Sequence, residues 1–148
     1  MVAKRRPHTI RIIAGEYKSR LIQVEEAEDL RPTSSRMRET LFNWLAPLLP
    51  DSICLDLFSG SGALGLEAIS RGAKQVTFIE KNPRVFSTLL TNIKSLNISE
   101  ERYQAYCQDA FLYLKKMTMS EPLRLLFLDP PFSFNYPQLK EAILENPY

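Results

Sequence analysis

Asp56, Glu80, Asp109 and Asp129 each stand at or just past the end of an apolar run of strand length. A carboxylate at such a place can accept hydrogen bonds or counter a cation. After Asp56 comes DLFSGSGALG, in which Gly60, Gly62 and Gly65 have the G-x-G-x-x-G spacing, and Glu80 lies where that pattern puts a ribose-binding acid. A turn of this kind commonly receives a dinucleotide pyrophosphate on backbone N–H groups. Asp56, just before the loop, repels that anion.

Acids on several strand ends suit a ligand with amine and sulfonium cations, hydroxyls and an amino-bearing base, which describes S-adenosylmethionine. In this reading Glu80 accepts from both ribose hydroxyls, Asp109 from the adenine amine, and Asp56 helps hold the methionine amino group. Gly60 and Gly62 let the backbone turn and approach the ligand where a Cβ would clash. Gly65 packs helix on strand.

The fourth acid opens LDPPF, and the residue types that follow it exceed what a strand stop requires. Pro130 and Pro131 give a stiff segment that offers carbonyl oxygens without competing N–H donors. Asp129 and the Pro130 carbonyl can together orient an exocyclic amine, whose lone pair is otherwise delocalised into its ring. Phe132 supplies a face for a splayed-out base.

These residues need a scaffold that brings strand ends together. From residue 52 the chain alternates strand and helix: strands in 52–58, 75–80, 102–108 and 123–129, with helices in 63–71, 83–96, 110–117 and 137–145. Such alternation predicts an α/β fold with a mostly parallel sheet covered on both faces, and its ligands bind outside the carboxyl ends of the strands. Asn82 and Pro83 mark one helix start. Ahead of this body, 9–24 reads as a hairpin turning at Gly15, and Met37, Leu41, Trp44, Leu45 and Leu48 are spaced for one buried face of a helix. The division expected is a basic arm and hairpin over 1–30 and a methyltransferase-type domain over 31–148.

Composition narrows the classes further. The 148 residues are 45% hydrophobic and 24% charged, which suits one soluble core, and no apolar run reaches membrane-helix length. A cytoplasmic monomer is the expectation, with Cys54 and Cys107 as reduced, buried thiols. His8, the single histidine, lies in the tail, which argues against a histidine triad or a metal centre. Residues 1–20 carry Lys4, Arg5, Arg6, Arg11, Lys18 and Arg20 against Glu16, whereas the whole chain is only +2. A basic arm on a mildly acidic body points to a polyanion such as RNA.

DLFSGSGALGLEAISRGA, FIEKN, QDAF and LDPPF, preceded by RIIAG and RPTSSRMRETLFNWL, resemble the RsmD type of bacterial small-subunit ribosomal RNA guanine-N2 methyltransferase, over nearly the whole chain. The resemblance implies a Rossmann-like fold and methyl transfer from S-adenosylmethionine to a guanine amine in 16S rRNA of the small ribosomal subunit or its assembly intermediate. It implies a cofactor set of Asp56, Phe58, Gly60, Gly62, Glu80, Lys81, Asp109 and Ala110, and a catalytic set of Asp129, Pro130, Pro131 and Phe132. Lys4, Arg5, Arg6, Arg11, Arg31, Arg36 and Arg38 would contact RNA or cover the cofactor. Methyltransferases of this class continue for three more strands after the helix that follows D-P-P-F, so a free hydrophobic edge is expected beside the fourth strand.

Three other readings stand beside this one. D-P-P-[FY] chemistry also serves DNA amines. A dinucleotide oxidoreductase fits the glycines but not Asp56, and a non-catalytic RNA-binding remnant fits the basic arm.

Overall fold

The computed structural model describes residues 8–25, 34–118, 121–130 and 136–145. In chain order its elements are β1 (His8–Arg11), β2 (Leu21–Val24), α1 (Ser35–Leu45), β3 (Ile53–Asp56), α2 (Ala63–Ser70), β4 (Gln75–Glu80), α3 (Pro83–Ser95), β5 (Tyr103–Cys107), α4 (Ala110–Lys116), β6 (Leu125–Phe127) and α5 (Tyr136–Leu144). Strands β3 to β6 form a parallel sheet in the order β5-β4-β3-β6. The chain steps outward from β3 to β5 and then crosses back to β6. The strand order therefore reverses between β3 and β6, where an open α/β sheet leaves a crevice for ligand. Among the described residues β6 pairs with β3 alone.

Both faces of the sheet are covered, which is why β3 is buried at every position and apolar wherever it can be. Alternation along the strands feeds two clusters. Cys54 and Phe78 meet Phe42 of α1, Leu66 and Ile69 of α2, and Leu89 and Ile93 of α3. Leu55 and Ile79 point the other way, to Leu114 of α4 and Leu139 of α5. A Cβ on Gly65 would overlap the Phe78 ring, so this glycine does pack helix on strand. Asn82 caps α3 as expected, its Oδ1 accepting from the Arg84 and Val85 amides at 2.9 and 3.3 Å, with Pro83 opening the helix.

The hairpin forms as read, with Ile10 opposite Ile22. Ile12, Tyr17 and Ile22 join the same cluster as Phe78. The turn of the hairpin lies on the end of α2: the Glu16 amide donates to the Ser70 carbonyl at 2.8 Å and the Tyr17 amide to Ser70 Oγ at 2.9 Å. A Cβ on Gly15 would collide with that same carbonyl, so the close approach depends on glycine.

Two expectations need correction. Helix α1 packs Leu41 and Leu45 against the core as expected, but its fully buried side chains are Arg38 and Phe42, whereas Met37, and Leu48 beyond the helix end, are exposed and Trp44 is 76% exposed. Phe42 and Arg38 define the buried side together. Phe42 packs on Phe127 with ring centroids 5.7 Å apart and under the Arg71 guanidinium at 5.4 Å, and this orientation carries Arg38 to the fully buried carboxylate of Glu67. Cys54 is buried as expected, and its burial raises the thiol pKa, but Cys107 ends edge strand β5 and is exposed.

Candidate active site

The segment 57–62 after β3 is stitched to the strands on either side of it. The Leu57 amide donates to the Phe127 carbonyl at 3.3 Å and the Ser59 amide to the Ile79 carbonyl at 2.9 Å. Ser59 Oγ donates back to the Asp56 carbonyl at 2.8 Å. Gly60 and Gly62 have φ of 55° and 100°, in the left-handed region that a side chain makes costly. Gly62 is the N-cap of α2 and has no side chain to satisfy the helix's first amides.

Asp56 supplies what Gly62 lacks. Its Oδ2 accepts from the Gly65 amide at 3.1 Å, and the residue is only 1% exposed. Asp56, expected to help hold the ligand's amino group, is turned into the fold and acts on the loop. Its charge still offsets the positive end of α2, which makes that end a poor seat for a pyrophosphate.

The other three acids remain accessible. Register pairs Asp56 with both Phe78 and Phe127, so Glu80 and Asp129 each lie two residues beyond that row. Glu80 is partly buried and orders two neighbours, accepting from the Gly60 amide through Oε1 at 3.0 Å and the Asn82 amide through Oε2 at 2.8 Å. Each of these oxygens keeps a second lone pair for a hydroxyl. Asp109 caps α4, its Oδ1 accepting from Phe111 and Leu112 at 2.9 and 3.3 Å, which leaves Oδ2 for a ligand amine. Lys81 is exposed, Phe58 is partly buried, and Ala110 is buried as the first residue of α4. Asp129 is exposed and Pro130 partly so, just beyond β6 on the far side of the crevice. Pro131 and Phe132 lie outside the described residues.

The sheet thus carries an ordered glycine loop, a partly buried carboxylate at the end of β4, a capping carboxylate at α4 and an exposed acid followed by a proline beyond β6. Residues 10–147 match a family model described as conserved hypothetical protein 95. Ribosomal RNA small subunit methyltransferase D of Haemophilus influenzae is 44% identical over 135 residues, 91% of this chain and 70% of that protein. The chain belongs to the ribosomal RNA small subunit methyltransferase D family. The Escherichia coli K12 protein of the same name is 46% identical over 123 residues, 83% of this chain and 60% of its own length. Solved structures agree: Escherichia coli yhhF superposes with a TM-score of 0.77 at 41% identity over 92% of this chain and 71% of its own. Pyrococcus horikoshii TYW2, solved with MeSAdo, superposes with a TM-score of 0.52 at 25% identity over 68% of this chain and 35% of its own.

Within this small subunit methyltransferase D framework the basic residues separate. Arg11 and Arg36 are exposed, Arg11 donating to the Ser19 carbonyl at 3.1 Å. Arg38 is corrected: at 1% exposure its guanidinium faces Glu67, and burial lowers its pKa while Glu67 opposes that shift. It braces the fold and offers nothing to RNA. Lys4, Arg5, Arg6 and Arg31 lie outside the described residues. Sequence reading missed Ser59, Ser61 and Asn92. Ser59 precedes Gly60 and Ser61 sits between Gly60 and Gly62, and Asn92 is betrayed only by Arg84, Thr88 and Asn92 recurring every four residues along one side of α3.

Proposed function

We propose that this chain transfers a methyl group from S-adenosylmethionine to the exocyclic N2 of a guanine in 16S rRNA of the small ribosomal subunit. The observation that carries this reading is the position of Asp129 and Pro130 across the β3–β6 crevice from Glu80 and the glycine loop, in a chain of this family. The donor supplies a methyl group already activated on a sulfonium sulfur. Glu80 and Asp109 hold its hydroxyls and amine, while Asp129 and the Pro130 carbonyl accept the N–H bonds of the guanine amine and aim its lone pair at the methyl carbon. As the N–C bond forms, the C–S electron pair returns to sulfur, and the amine proton then leaves to Asp129. Phe132 stacks on the base. The chemistry requires no metal, and the protein works as a cytoplasmic monomer.

Labelled donor offered with unmodified small subunits, free 16S rRNA and DNA tests the proposal. Label on guanine N2 of ribosomal RNA supports it, and label on DNA alone moves the chain to a different substrate.

Glu80→Ala removes the hydroxyl acceptor together with two bonds that order the loop. Donor binding should weaken by about 1–3 kcal/mol, the scale for hydrogen bonds to a charged group, with the domain still folded. Calorimetry with S-adenosylhomocysteine reads this, and an unchanged affinity takes Glu80 out of the ribose role.

A further inference from the structure

Asn92 lies toward the C-terminal end of α3 at 2% exposure and uses its amide in three directions. Its Oδ1 accepts from the Gln23 amide at 2.9 Å while Nδ2 donates to the Gln23 carbonyl at 2.9 Å, so the side chain pairs with β2 as a strand would. The second Nδ2 proton goes to the Ser61 carbonyl at 2.9 Å, between Gly60 and Gly62. A second link runs parallel: the Glu25 amide donates to Ser61 Oγ at 3.3 Å, and Glu25 is itself held by Thr88 at 2.8 Å and Arg84 at 3.3 Å. Arg84, Thr88 and Asn92 are one ridge of α3.

We propose that Asn92 is a positioning residue, through which the N-terminal hairpin sets the conformation of the glycine loop that receives the methyl donor. The loop backbone is in a left-handed turn at both glycines, and glycine has the largest conformational entropy to lose. A loop of that kind stays in one shape only if its carbonyls are held from outside. Asn92 holds the single carbonyl between the two glycines, and its other hydrogen bonds are to the hairpin, whose outer side carries Arg11. Displacement of β2 and displacement of the loop therefore share one amide, and contact at the hairpin is linked to donor affinity in both directions. Only a carboxamide has one acceptor and two donors in this geometry.

The donor arm of the test rests on the proposed function, and the exchange arm does not. Asn92→Asp keeps the shape and loses both donors. Asn92→Ala serves if the carboxyl prevents folding. In the unliganded variant, hydrogen exchange at the Gly60, Gly62 and Glu25 amides should accelerate by ~10-fold or more while Phe78 and Ile79 in β4 keep the parental rates. In turnover with small subunits, KM for the donor should rise by at least ~5-fold with kcat at saturating donor nearly unchanged. Thr91→Ala, one residue away on the exposed side, should match the parent. Parental exchange at the loop amides overturns the proposal, as does acceleration that spreads equally into β4. A parent chain that takes no S-adenosylhomocysteine defeats the donor reading instead, and the exchange rates still decide the role of Asn92.

Discussion

Asp129→Asn lowers kcat by roughly 10²-fold or more, about 3 kcal/mol in the transition state, while donor affinity and melting temperature stay near those of the parent. The residue is exposed beyond the end of β6, so exchanging one oxygen for an amide nitrogen disturbs no core packing. The effect comes from charge. In the proposed reaction the guanine amine gains positive charge as its lone pair reaches the methyl carbon, so a carboxylate accepting its N–H bond would be worth more in the transition state than in the ground state. Asparagine accepts a similar bond without the charge, and its own N–H donors can turn the wrong way. Single-turnover methylation of small subunits is the measurement. A variant that methylates at the parental rate reduces Asp129 to a turn residue and leaves amine orientation to the Pro130 carbonyl.

Glu67→Ala is expected to cost roughly 3–5 kcal/mol of stability, the penalty for breaking a buried ion pair by removing one partner. Glu67 is fully buried and accepts from the Ile13 amide at 2.8 Å, the Ala14 amide at 3.2 Å and Arg71 Nε at 3.0 Å, with Arg38 NH1 at 3.6 Å. Truncation strands a buried guanidinium and two amides of the hairpin together. The melting temperature should fall by about 10 °C or more, given a few degrees per kcal/mol for a chain of this size. Glu67→Gln alone should remain strongly destabilised, because its single carbonyl oxygen satisfies one amide and no charge. Adding Arg38→Met to Glu67→Gln should restore a large part of the loss by removing the stranded cation. Thermal denaturation of the three variants reads the series, and a Glu67→Ala protein that melts with the parent would show that the cluster contributes nothing net.

Much of this molecule was legible in its residues because the information was periodic or local. Alternation in 52–129 gave the parallel sheet, and Asn82-Pro83 gave a helix start. The glycines after Asp56 gave the loop. Glu80, Asp109 and Asp129 could be placed at the strand ends because a strand end is marked by a change of residue type. What was not legible depended on contacts distant in sequence. Asp56 looked like its fellow acids, and nothing local shows that Gly62 leaves an amide of α2 for it to satisfy. Met37, Leu41, Trp44, Leu45 and Leu48 made the expected stripe, yet Met37, Trp44 and Leu48 are exposed while Phe42 and Arg38 are buried, Arg38 against Glu67, 29 residues beyond it in the chain. Arg38 was grouped with the arginines near it in sequence, whereas its burial comes from a helix not yet reached. Asn92 lay hidden in an ordinary amphipathic pattern.

The same separation has a consequence during synthesis. The hairpin is the first ordered part of the described chain to be made, but its seat is built from α2 and α3, and Gln23 is 69 residues ahead of Asn92. At about 5–20 residues per second that interval is roughly 3–14 s. Until α2 and α3 are both made Ile12 and Ile22 lack part of the core they enter, and the strand pair must persist on an incomplete seat or form anew when α3 arrives, since an isolated two-stranded hairpin is marginal in water. The element most exposed to premature association on the ribosome is therefore the one that, once seated, is joined to the glycine loop.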